Sequence, residues 1–126
     1  MTDIRSERGA VAVEFALLLP ILMMLLLGIV EFGLAYNAQI TITNAAREGV
    51  RTMAIQNSTA AADSAVKAAA PVVNPAITNS EIAISPSVCA AGQTVTVTIQ
   101  YPYKFLTGFF GAGYTMIGTA AMKCGG

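Results

Sequence analysis

From Phe15 to Val30 the chain reads FALLLPILMMLLLGIV, sixteen residues without a charge. Extension back to Ala10 gives twenty-one residues in which Glu14 is the sole charge. About twenty apolar residues span a bilayer as a helix, because in lipid the backbone must satisfy its own hydrogen bonds. Residues 10–30 therefore read as a spanning helix. A cleaved secretory signal fits less well, since its apolar core runs only about 7 to 15 residues and ends at an A-x-A-like site. Here Ala35-Tyr36-Asn37-Ala38 has the wrong spacing. Arg5 and Arg8 lie just before the segment, whereas the first basic residue after it is Arg47. That asymmetry keeps the N-terminus in the cytoplasm and sends the remainder across the membrane.

Composition narrows the function. Of the 126 residues, 55% are hydrophobic and 11% charged, with seven basic residues against seven acidic ones. There is no basic excess to neutralise phosphates, so nucleic acid is not an expected partner. With no His and two Cys, the chain cannot build a His-based triad, a Cys–His dyad or a common zinc site. The acidic residues Glu31, Glu48, Asp63 and Glu81 are scattered rather than paired on one element. No enzyme activity, cofactor or metal is expected. Beyond the membrane, an oxidising compartment would let Cys89 and Cys124 pair, contributing between about 3 and 4 kcal/mol in the chain-entropy model. Two buried free thiols are the alternative.

Glu14 needs a physical account, because a carboxylate at a membrane-helix centre costs about 2.5 to 3.5 kcal/mol, and less near an interface. It either snorkels to the headgroups near Arg5 and Arg8, or pairs with a cation. Cutting after Gly9 would supply such a cation as a new amino group on Ala10, four residues away, in the same chain or a neighbouring one.

These residues carry a resemblance. Gly9 followed by AVAVEF places Glu at the fifth position and Phe15 at the sixth after a would-be cut, ahead of an apolar helix. This is similar to the prepilin processing site of type IV pilins. The longer string GAVAVEFALLLPILMMLLLGIVEFG, followed by NAAREGVR at residues 44–51, resembles the TadE-like pseudopilins of the tight-adherence (Tad/Flp) pilus system over about the first 53 residues. The start AVAVE departs from the FTLIE type of secretion-system pseudopilins, which favours the Tad branch. The chain is also longer than that branch's short major pilins, which favours a minor or pseudopilin role. The resemblance implies cleavage between Gly9 and Ala10 by an aspartic prepilin peptidase of the bacterial inner membrane. It also implies register through Glu14 and Phe15, and partnership with other pilin subunits and the Tad assembly machinery. The rivals are an unprocessed single-pass protein with an envelope-binding periplasmic domain, and a filament-forming pilin.

Past Gly33 the pattern becomes amphipathic. Ala35, Ala38, Ile42, Ala45, Ala46, Gly49, Val50 and Met53 recur every three or four residues, with Asn37, Thr41, Asn44, Glu48 and Arg51 on the other side. One helix from about Ala10 to Ile55 is predicted. Ala45, Ala46 and Gly49 permit close packing, either on the chain's own strands or on another element; Ala12 and Ala16 offer a small-residue face in the membrane. Pro20 removes a helical hydrogen bond, so a kink or locally melted turn is expected there. Gly28 and Gly33 add weak points that would let the helix bend on leaving lipid, or leave a static kink.

Thr59 to Ala70 reads as a short helix capped by Asn57 or Ser58 and stopped by Pro71. From Thr94 to Tyr101, Thr and Gln alternate with Val, Ile and Tyr, the clearest strand signal in the chain. Glu81 to Ser85 and Thr115 to Lys123 are shorter candidates, which gives a three-stranded antiparallel sheet. Between them YPYKFLTGFFGAGY, residues 101–114, holds six of the nine aromatics, as an exposed contact loop or as core. The predicted fold is α+β and pilin-like, a long N-terminal helix packed on a small antiparallel sheet. Its parts are a cleaved cytoplasmic leader (1–9), a transmembrane helix (10–30), its amphipathic extension (31–56), a linker with a short helix (57–79) and a β-rich periplasmic domain (80–126).

Overall fold

The computed structural model describes residues 4–125. The first three residues of the expected leader and the last residue of the β-rich segment lie outside them. The chain is α+β: helix α1 (Ile4–Gln56), helix α2 (Thr59–Ala69), a 3-10 turn (Asn79–Glu81) and strands β1 (Ile82–Ser85), β2 (Thr94–Lys104) and β3 (Gly113–Lys123). Its contacts divide it after Gly33 into two units.

In the first unit the described residues are helical throughout. The helix begins before the predicted Ala10: residues 4–9 contain no proline, and Glu7 lies in the first turn, where the exposed N–H groups favour negative charge. Of the kink or locally melted turn expected at Pro20, the melted turn is not seen, because the helix continues through it. A proline costs the helix one donor and a clash with the preceding turn, and the flanking leucines, strong helix formers, hold the segment helical.

The second unit carries the core. From Leu34 onward α1 buries Ala35, Ile42, Ala45, Ala46, Gly49, Val50 and Met53 of the stripe expected from the spacing, with Ala38 half-buried and Ala54 added to it. Asn57 ends the helix with φ 48°, its N–H donating to the Met53 carbonyl at 2.9 Å. Asn tolerates this left-handed conformation because its short side chain bonds locally. Ser58 then caps α2, its Oγ accepting from the Ala61 N–H at 3.2 Å. The segment read as a linker with a short helix does carry that helix, and Ala62, Val66, Ala70, Val73 and Ile77 within it also join the core.

The sheet has the order β1-β2-β3, antiparallel throughout. All three strands fall where the sequence placed them, with β2 and β3 each reaching further toward their shared hairpin. Val95, Val97, Ile99 and Tyr101 point inward along β2. On β3 they face Met122, Ala120, Gly118 and Met116 respectively. Small residues opposite β-branched ones leave room for α1. A Cβ at Gly118 would lie 2.7 Å from Ile42 Cγ2 and 2.9 Å from the Ile42 carbonyl oxygen, so glycine sets how closely the sheet approaches the helix. The Gln39 side-chain amide donates to the Ile117 carbonyl at 2.9 Å, tying the same strand to α1. Cys89 and Cys124 are joined in a disulfide, with Cα atoms 5.5 Å apart.

Candidate functional site on helix α1

Every candidate residue for processing and register lies on the first unit's helix. Gly9, Ala10, Glu14 and Phe15 are all exposed, and a Cβ at Gly9 would meet nothing within 4 Å. The glycine is therefore not required by packing in this chain. Ala10 and Glu14 are four residues apart, so they share one helix face about 6 Å apart along the axis.

Around Glu14 the helix surface is apolar and uncovered. Val11, Val13, Phe15, Leu17, Leu18, Ile21, Leu22 and Leu25 each keep half or more of their surface exposed. Soluble monomers rarely show contiguous apolar patches beyond a few hundred Å². A surface of this kind suits an apolar surrounding, and α1 is long and apolar enough to cross a membrane. Gly28 is half-buried, and Gly33 has open space around it.

The small residues of the outer stripe go elsewhere. Ala45 and Ala46 are fully buried. A Cβ at Gly49 would run into Val66 Cγ2 and stand 3.5 Å from Val97 Cγ1, so this surface packs on α2 and β2 of its own chain. Those positions serve intramolecular packing.

Two features escaped the sequence. Glu31 is 1% exposed, the buried charged residue among those described. No buried side-chain nitrogen or oxygen in the described residues lacks a hydrogen-bond partner, so its carboxylate is satisfied. The signal was its position directly after the uncharged run, where a charge that only met solvent would be unremarkable. The second is Tyr101. It is buried within the core and its hydroxyl donates to the Pro75 carbonyl at 2.7 Å. Burial first, then the negative charge of Glu81, raises its pKa above 10.0, the ordinary tyrosine value.

The aromatic segment divides between both expectations. Tyr101 is core, and Tyr103 and Phe105 are half-buried beside Tyr114 with ring centroids about 6 Å apart. Leu106, Phe109 and Phe110 are exposed. Among the described residues no group of three or more Cys, Asp or Glu side chains is placed to hold a metal ion.

Comparison with known proteins gives one match. Residues 9–51 fit the model of the TadE-like protein family, a stretch that begins at Gly9 and ends within the amphipathic part of α1. No curated protein and no solved structure matches the chain. The matched stretch contains Gly9, Glu14, the whole apolar run and the AREG tract, and over those residues the chain is similar to TadE-like proteins.

Proposed function

We propose that this chain is a minor pilin or pseudopilin that serves assembly of a Tad/Flp-type adhesive pilus. A TadE-like segment associates it with Tad pilus systems. The observation that carries the finer reading is the coincidence at Gly9. The family match starts there, no packing contact demands a glycine there, and the exposed apolar helix follows directly.

A prepilin peptidase would cut between Gly9 and Ala10, with the N-terminus cytoplasmic and the sheet-bearing unit periplasmic. Cleavage turns the Ala10 amide nitrogen into an ammonium group at the edge of the apolar run. Within lipid or among packed helices, that cation and the Glu14 carboxylate each carry a desolvation cost that mutual pairing offsets. Pairing between neighbouring subunits fixes the axial offset of one helix against the next, because any other offset leaves both charges unpaired. Phe15 and the leucines supply the surrounding contact. The absence of His and the scatter of acidic residues support an assembly role rather than a catalytic one.

Glu14→Gln tests this. The variant keeps the shape and lowers the cost of insertion, so it is expected to enter the membrane as well as the native chain and to be depleted in sheared pili. Equal incorporation would remove the register role.

A further inference from the structure

Contacts between the sheet and α1 follow one another in order along the second unit. The Gly125 N–H donates to the Ala54 carbonyl at 3.3 Å. Gly118 lies against Ile42, and Gln39 bonds to Ile117. Leu34 and Ala38 line a cavity of about 390 Å³ together with Tyr103, Lys104 and Leu106. Moving up the hairpin from the disulfide to its tip therefore means moving back along α1 from residue 54 to residue 34. The tip, residues 105–112, sits at the Leu34 end of this unit, four residues after the apolar run stops at Val30.

The composition of the tip suits that position. Leu106 is 73% exposed and Phe109 is 59% exposed, with Phe110 stacked edge-on against Phe109 at 5.2 Å. Gly108 and Gly111 hold positive φ, which turns the chain tightly enough to present these side chains together. No acidic residue follows Glu81, and Lys104 stands at the base of the tip. On α1, Phe32 and Tyr36 are exposed just past the apolar run, where aromatic side chains favour the headgroup layer. An apolar wedge with a basic flank and no carboxylate complements anionic phospholipid.

We propose that the β2–β3 hairpin tip inserts into the bilayer that α1 crosses, with Leu106, Phe109 and Phe110 among the upper acyl chains and Lys104 at the lipid phosphates. This rests on α1 being a membrane span. The tip is then a second, reversible membrane contact that holds the sheet-bearing unit down until the subunit leaves the lipid.

The chain has no Trp, so single indoles report position directly. Full-length Phe109→Trp, Leu19→Trp and Val88→Trp chains would be reconstituted into vesicles of phosphatidylethanolamine and phosphatidylglycerol, some carrying lipids brominated on the upper acyl chain. Val88 is exposed beside Cys89, whose N–H bonds to Asn57 beyond the far end of α1. The proposal predicts blue-shifted emission and several-fold stronger quenching by brominated lipid at position 109 than at position 88, with the reverse order for iodide present on both sides. Iodide quenching at position 109 equal to that at position 88 would overturn it. So would shielding from both quenchers, which would mean a protein contact. Loss of lipid quenching at position 109 alone defeats the hairpin proposal; loss at position 19 as well defeats the membrane span with it.

Discussion

Gly118→Ala places a methyl group where the sheet meets α1, and the structure sets the cost. The new carbon would sit 2.9 Å from the Ile42 carbonyl oxygen and 3.0 Å from its carbonyl carbon, whereas ordinary contact begins at 3.4 Å. Ile42 Cγ2, at 2.7 Å, can be relieved by a side-chain shift, but the carbonyl belongs to the helix backbone. Strand and helix must therefore separate by about half an ångström, across a region where Ile42, Ile99 and Met116 are buried. Overpacking of this kind costs about 1 to 3 kcal/mol. Replacing a strand glycine by alanine returns about 0.5 to 1 kcal/mol of backbone entropy. The net expectation is a loss of about 1 to 2 kcal/mol, or a fall in Tm of about 5 to 15 °C for a unit of this size. Near-UV circular dichroism of the full chain in detergent follows the tyrosines, all of which lie in the second unit, and avoids the large far-UV signal of the long apolar helix. Thr119→Ala, the exposed neighbour, serves as control and should stay within about 0.5 kcal/mol. A Gly118→Ala chain as stable as that control would refute the claim that glycine sets the sheet-to-helix distance.

Removing the disulfide with Cys89→Ser should cost between about 3 and 4 kcal/mol for a bridge spanning 35 residues, read as a lower denaturant midpoint than the oxidised native chain shows. Tyr101→Phe should cost about 0.5 to 1.5 kcal/mol by removing the bond to Pro75. Because the folded pKa of Tyr101 is raised above its unfolded value, the folded state keeps its proton longer. Stability should hold below pH 10 and fall as pH rises from there toward the folded pKa, and alkaline melts of Tyr101→Phe should show a smaller decline. Ser58→Ala should lower stability by about 1 kcal/mol through loss of the α2 cap, measured by the same thermal melts.

The helix stripe, the long apolar helix and the strands were legible because each is a local pattern. Spacings of three and four from Ala35 to Met53, an unbroken apolar run, and Thr–Val alternation at 94–98 each report which face will be covered. What stayed hidden depends on partners distant in sequence. Nothing near Gly118 announces that Ile42 will lie against it, and nothing near Tyr101 points to the Pro75 carbonyl. Residues 57–79 read as a linker because Ala, Ser and Thr dominate, yet Val66, Val73 and Ile77 are enough to fasten the segment to the core. The aromatic stretch was ambiguous because aromatic density alone does not separate core from surface: Tyr101 ends the Thr–Val alternation and is covered, whereas Phe109 lies between Gly108 and Phe110 in the hairpin's turn and is exposed. On α1 the packing of the chain does not bear on the roles proposed for Gly9, Ala10 and Glu14, all of them exposed, because those roles depend on what meets the helix.

Processing after Gly9 is the central claim, and it is tested most directly by the intact mass and N-terminal peptide of the protein purified from its native membranes, where any dedicated peptidase is present. The account predicts a chain that begins at Ala10. A chain that still carries residues 1–9 would contradict it and leave an anchored envelope-binding protein as the better account.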